Sequence, residues 1–154
     1  AEILCQMYSK LHGLSTVTLR YFNVYGPRQP LKGTYAPVIG LFEEQKKARK
    51  PCTIVGDGEQ RRDFTHVSDV VEANMCAMQT NCNGVFNIGT GKNHSVNDIA
   101  KLVNNPYNTI QIPSRPGEAR ITLADNTKAK TLLGWEPKKE LHEYFENSSK
   151  ISWR

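Results

Sequence analysis

Two arginines have the framing that phosphate chemistry needs. Arg62 follows a turn with two glycines, Gly56-Asp57-Gly58, and precedes Asp63-Phe64, so a rigid strand can hold its guanidinium. Arg115 stands between Pro113 and Pro116, which stiffen its loop. A guanidinium is a planar fork that meets phosphate oxygens in pairs, and two forks suit a diphosphate. Surface arginines in ordinary ion pairs would look the same. A second set, Arg20, Asn23 and Arg28, lies in Leu19–Gln29. The β-branched and apolar run Val17-Thr18-Leu19 before it reads as a buried strand, and Gly26-Pro27 stops regular structure after it. These polar side chains then stand where a strand becomes a loop, which in open α/β sheets is where ligands bind. A solvated strand end is the alternative, and Asn23 could equally cap a turn. His66 and Asp69 have the types for a general base pair or two metal ligands, but a structural histidine beside a helix N-cap explains them as well. Lys92 and His94 sit in a Gly-rich turn that could hold phosphate or be a plain loop.

The elements that position these residues can be read in order. Ala1–His12 has Ile3, Leu4, Met7 and Leu11 on one helical face and Gly13 as its C-cap. After the strand and loop just described, Lys32–Ala36 reads as a turn, and Pro37 suits the first turn of a helix running to about Ala48. Cys52–Val55 is a short strand ending in Gly56–Glu59, and Phe64–Val67 is another extended piece. Ser68 or Asp69 can cap a helix over Val70–Gln79, with Val70, Ala73, Ala77 and Met78 inward. Val85–Ile88 reads as a buried strand closed by Gly89-Thr90-Gly91. Ser95 with Asp98 resembles a capping box opening a helix to about Val103. Thr109–Ile112 is a strand, Asp125 or Thr127 opens a helix ending at Gly134, and Leu141–Ser148 is helical. Strands alternating with helices argue an α/β fold.

The chain of 154 residues is long enough for one packed domain, and its mean hydropathy of −0.53 is that of a polar, water-facing protein. No run approaches the roughly 18 apolar residues of a membrane span, so no membrane partner is expected. The net charge of +5 is scattered apart from Lys46, Lys47, Arg49 and Lys50, which read as a solvated helix end complementing the dipole. Aromatic residues are not interleaved with basic ones, so no nucleic-acid partner is expected. Cys5, Cys52, Cys76 and Cys82 have no C-x-x-C spacing, which fits free thiols in a reducing cytoplasm, and no zinc site is expected.

Four segments, in order, resemble the extended short-chain dehydrogenase/reductase family, the NAD-dependent sugar-nucleotide epimerases and dehydratases. They are Arg20-Tyr21-Phe22-Asn23; Gly56-Asp57-Gly58 with Arg62-Asp63-Phe64; Phe86-Asn87-Ile88-Gly89; and Arg115-Pro116-Gly117-Glu118 with Ala124-Asp125 and Leu133-Gly134-Trp135. The UDP-hexose 4-epimerases look most similar. The resemblance implies the tail of a Rossmann-like parallel sheet plus a small α/β substrate-binding subdomain. It implies that Arg62 and Arg115 hold the nucleotide diphosphate and that Asn23 contacts the substrate near its phosphates and sugar. Val38, Thr53, Ile54 and Val55 would line the uracil and ribose, and Glu118 would accept ribose hydroxyls. Thr122 would border the sugar pocket, where a small residue leaves room for the acetamido group of UDP-GlcNAc as well as for UDP-glucose. Phe22 would lie against the nicotinamide of NAD, in a homodimeric parent.

No catalytic residue is assigned within the chain. No Gly-rich dinucleotide fingerprint follows any strand, and none of the six tyrosines has a lysine four places on. In the resembling family that Tyr and Lys precede a glutamate matching Glu2, which places them upstream of Ala1. Residues 1–154 are therefore expected to be the carboxyl-terminal, substrate-binding portion of a longer enzyme. A nucleotide-sugar dehydratase or decarboxylase of the same family is the alternative, and a non-catalytic nucleotide-sugar-binding module is the rival from another class.

Overall fold

The computed structural model describes residues 1–31, 37–105 and 107–148; the turn expected at Lys32–Ala36 lies outside them. The elements are α1 (Glu2–His12), β1 (Val17–Tyr21), β2 (Val24–Tyr25), α2 (Val38–Lys47), β3 (Cys52–Val55), β4 (Arg61–Asp63), β5 (Thr65–His66), α3 (Val67–Gln79), β6 (Gly84–Ile88), β7 (Asn93–Ser95), α4 (Val96–Val103), β8 (Thr109–Ile112) and α5 (Leu141–Ser148), with a π-helical turn at Ala129–Leu133. This is an α/β fold. β1 runs parallel to β6, Val17 opposite Gly84 through Tyr21 opposite Ile88. β2 pairs with β5 and β3 with β8, both parallel, whereas β4 pairs antiparallel with β7.

Two apolar cores divide the chain. One gathers Val70, Ala73, Phe86, Ile88, Ala129, Leu133 and Trp135 between the β1–β6 pair, α3 and the π-helical turn. Trp135 is 1% exposed, and its indole N–H donates to the Asp69 carbonyl at 2.9 Å, the partner a buried indole requires. The other joins Ile39 and Phe42 of α2, Ile54 of β3, Val96, Ile99 and Val103 of α4, and Leu141 and Phe145 of α5. The Ser95/Asp98 capping box is present, with Asp98 N–H donating to Ser95 Oγ at 3.0 Å and Ser95 N–H to Asp98 Oδ2 at 2.9 Å.

Several local expectations are corrected by long-range contacts. α3 begins at Val67, and its N-cap is His66, whose Nδ1 accepts from the Ser68 N–H at 3.2 Å. Asp69 caps nothing; buried, it accepts the N–H groups of Lys138 and Lys139 at 3.2 and 3.0 Å and ties down the segment before α5. His66 thus caps α3 and Asp69 anchors the segment before α5. The extended piece at Phe64–Val67 is confined to β5. Asn93–Ser95 is a strand instead of a plain turn, because β4 supplies its partner. The helix expected from Asp125 or Thr127 to Gly134 does form over residues 127–133, with the Thr127 N–H donating to Asp125 Oδ1 at 3.0 Å, and only its Ala129–Leu133 part is wound as a π-helix before Gly134 at φ +66°. Met78 points outward, 79% exposed. α1 forms as expected, yet none of its residues is buried.

Candidate functional site

Arg62 sits on β4 with its side chain only 15% exposed. One nitrogen donates to the Arg61 carbonyl at 2.9 Å and another meets Glu118 Oε1 at 3.2 Å. Glu118 arrives through the sequence Arg115-Pro116-Gly117-Glu118. Its N–H donates back to the Arg115 carbonyl at 3.4 Å, and Gly117 has φ +77°. That is a type II turn, with proline at its first central position and the required glycine at its second. The turn puts Arg115 and Glu118 at its two ends, both exposed. Arg62 thus meets Glu118 from 56 positions away, and Arg115 stands at the other end of the turn that presents Glu118.

The segment carrying them is pinned on both sides. Arg61 N–H donates to the Arg120 carbonyl at 2.8 Å and Thr122 N–H to the Arg61 carbonyl at 3.0 Å, extending β4 by a parallel bridge to Ile121. Arg120 grips Asp57 of the Gly56–Glu59 turn with two bonds of 2.7 and 2.8 Å. The guanidinium beside it holds the Asp57 carboxyl down at about 2, with the Glu59 N–H assisting. Gly56 N–H donates to the Ile112 carbonyl at 2.8 Å. The carboxyl end of β3 thus abuts the start of the arginine-bearing segment, while Thr53, Ile54 and Val55 themselves lie opposite Ile110, Gln111 and Ile112. Thr53 itself is engaged, its N–H by Gln45 Oε1 at 3.1 Å and its hydroxyl by Gln45 Nε2 at 2.9 Å, and Ile54 is in the core. Val38, half-buried, opens α2. Thr122 is half-buried, and its hydroxyl oxygen is buried without a hydrogen-bond partner among the described residues.

At the other end of the site, Asn23 Nδ2 donates to the Asp63 carbonyl at 3.1 Å, and Phe22 N–H donates to the Ile88 carbonyl at 3.0 Å. Phe22 stands at the carboxyl end of the parallel β1–β6 pair beside Gly89, where a side chain would collide with the Ala124 methyl and crowd Asp63 Oδ2 at 3.0 Å and the Phe22 ring at 3.2 Å. Only glycine fits. Arg20 and Arg28 do not join the site. Arg20 lies within β1 and forms a two-point ion pair with Glu2 at 2.6 Å, and Arg28 is exposed with φ +66°.

Sequence reasoning left Asp63 without a role. It is fully buried, and its carboxylate accepts from Thr90 N–H (2.8 Å), Thr90 Oγ1–H (2.7 Å), Gly91 N–H (2.9 Å) and Ala124 N–H (3.1 Å). The available signal was its place beside Arg62 and Phe64, since a buried carboxylate must find several donors. Lys92 is paired with Glu140 at 2.8 Å, and burial draws the His94 imidazole below its ordinary value; both line a small cleft of about 190 Å³ with Glu136 and Lys139.

The arrangement places the Arg62 guanidinium beside the Glu118 carboxylate, with Arg115 at the other end of the same turn, and puts the Phe22 ring at the end of β1. The sequence profile of the family described as GDP-mannose 4,6 dehydratase matches residues 1–148. A putative UDP-glucose 4-epimerase of Methanocaldococcus jannaschii is 39% identical over 146 residues, which cover 92% of this chain and 47% of that protein. Among solved structures, the Thermotoga maritima UDP-glucose 4-epimerase with UDP-glucose superposes with a TM-score of 0.91 at 40% identity, over 97% of this chain and 49% of that one. The Bacillus cereus UDP-glucuronic acid 4-epimerase in complex with UDP-glucuronic acid and NAD gives a TM-score of 0.82 at 36% identity, over 94% and 47%. The chain spans about half the length of the curated relatives it matches.

Proposed function

Since the chain belongs to the GDP-mannose 4,6-dehydratase family, within the NAD-dependent sugar-nucleotide epimerases and dehydratases, we propose that it forms the nucleotide-sugar site of a longer UDP-hexose 4-epimerase. The observation that carries this reading is the half-buried Arg62 fork beside Glu118, with Arg115 across the same type II turn. A UDP-sugar presents a diphosphate to two arginines and ribose hydroxyls to one carboxylate, and these residues match that pattern of charge. In this reading Val38, Thr53, Ile54 and Val55 form the uracil and ribose end, Asn23 meets the phosphates and sugar, and Thr122 borders the hexose.

The residues present fit one part of NAD. The Phe22 ring, held against Gly89 at the carboxyl end of β1, suits the flat face of a nicotinamide; no residue of the chain is assigned to the adenine or the pyrophosphate. When bound, NAD supplies a reversible acceptor for the hydrogen at sugar C4. What this chain contributes is binding and orientation: the arginines fix the diphosphate, while Asn23 and the Thr122 segment face the hexose. The tyrosine and lysine that move protons would belong to the preceding portion of the enzyme.

Two measurements test the proposal. Calorimetric titration of the full-length protein with UDP should show binding that weakens when Arg62 or Arg115 is replaced by alanine. The isolated 154-residue chain should leave UDP-glucose unconverted, and turnover by that piece alone would contradict the division of labour. Failure of the full-length protein to bind UDP would remove the reading altogether.

A further inference from the structure

We infer that Asp63 is a positioning residue, holding the hexose-facing half of the site in register with the phosphate-binding arginines; this rests on the UDP-hexose reading above. Its carboxylate is fully buried and draws in donors from two separate segments, the Thr90–Gly91 loop after β6 and Ala124 beyond Thr122. Its carbonyl takes the Asn23 amide at 3.1 Å. Its chain neighbour is Arg62. One residue therefore joins the strand that carries the phosphate fork to Asn23, to the Gly89 turn under Phe22, and to the segment bordering the sugar.

The chemistry explains why such a joint matters. Four N–H and O–H donors surround the carboxylate, which forms no ion pair among the described residues. These directional bonds fix where each segment sits, which a flexible lysine pair would not. The phosphate contacts do not pass through the carboxylate, because Arg62 is braced separately by the Arg61 carbonyl and Glu118. Loosening the carboxylate should displace the hexose relative to the reacting groups while leaving the diphosphate held. A displacement of about 1 Å can cost about 10²-fold in rate without weakening binding. A residue that merely stabilised the fold would lower binding and turnover together.

The test uses the full-length enzyme with its cofactor. In Asp63→Asn, kcat for UDP-glucose should fall by about 10- to 100-fold, while the calorimetric Kd for UDP stays within about threefold of the unmodified protein. Thr90→Val, which removes one of the four donors and conserves volume, should lower kcat by about tenfold with the same constancy of Kd, and Thr90→Ser should restore it. The Thr90 pair decides the matter if Asp63→Asn does not fold. Unchanged kcat in the folded variants would overturn the inference. So would a parallel loss of UDP affinity, kcat and Tm that Thr90→Ser does not reverse. If the unmodified protein neither binds UDP nor converts UDP-glucose, the UDP-hexose reading falls and takes this inference with it, an outcome distinct from the other two.

Discussion

Asp57 and Asp63 flank the same turn and strand, each accepts several hydrogen bonds, and they do opposite work. Asp57 is exposed and gripped by Arg120 at 2.7 and 2.8 Å, a contact that water and salt can replace. Asp63 is sealed from water and takes three backbone N–H groups and the Thr90 hydroxyl, of which only the hydroxyl has a second acceptor, the Lys92 carbonyl at 3.0 Å. The short ion pair is the weaker constraint and the neutral donors are the stronger one. Burial decides the ranking, because the cost of losing a partner is set by what replaces it. The site inherits this asymmetry: the Asp63 end is a rigid frame, while the turn bearing Arg115 and Glu118 is an exposed arm.

The largest expected effect breaks the frame. Asp63→Ala leaves the N–H groups of Thr90, Gly91 and Ala124 without this acceptor, and at about 1–3 kcal/mol each, reduced by relaxation, the loss of stability should be about 3–5 kcal/mol. Denaturant unfolding measures it, and the same substitution at Asp57 should shift the midpoint only slightly. Equal losses at the two positions would show that burial is not what separates them.

Next come the arginines on either side of that divide. Replacing Arg62 or Arg115 with alanine should weaken UDP binding by about 1.5–3 kcal/mol each, the scale of charge-assisted hydrogen bonds. Arg62, framed and largely buried, should be the more sensitive of the two. Isothermal titration with UDP reads both, and an Arg115 effect exceeding that of Arg62 would reverse the frame-and-arm distinction.

A smaller effect is expected at Thr122, where the frame borders the proposed sugar pocket. Threonine leaves space there, so the parent enzyme should accept UDP-GlcNAc as well as UDP-glucose. Thr122→Tyr should lower the kcat/KM ratio of UDP-GlcNAc to UDP-glucose by about tenfold or more. An unchanged ratio would move the size filter to another residue.

The smallest effect is a pH dependence at the exposed aspartate. Its carboxyl is held at about 2, chiefly by Arg120, against an ordinary value of 3.8. A depressed carboxyl contributes stability above its unfolded value and loses that contribution as pH falls through the folded one. The difference in Tm between wild type and Asp57→Asn should therefore be small at neutral pH and shrink between pH 3.8 and 2. A difference that grew on acidification would contradict the assigned cause.

Local grammar made much of this protein legible in its residues. Proline and glycine at 116 and 117 specify the type II turn, Ser95 and Asp98 specify a capping box, and β-branched runs specify β1, β3 and β8. Such features depend on neighbours a few places away, whose geometry the chain itself imposes. Arg62 and Arg115 stand out as candidates for the same reason, each being framed by its own turn. Tertiary structure alone decided which carboxylate would be the anchor, since Asp63 and Ala124 stand 61 positions apart. It also paired Arg20 with Glu2 at the surface, gave Asn93–Ser95 a strand partner in β4, and set Asp69 against Lys138 and Lys139 instead of a helix cap. α1 shows the same limit from the other side: its apolar periodicity was plain, yet no residue of it is buried. A pattern of side chains states what a segment can offer, but burial and hydrogen-bond completion depend on which distant segments arrive beside it.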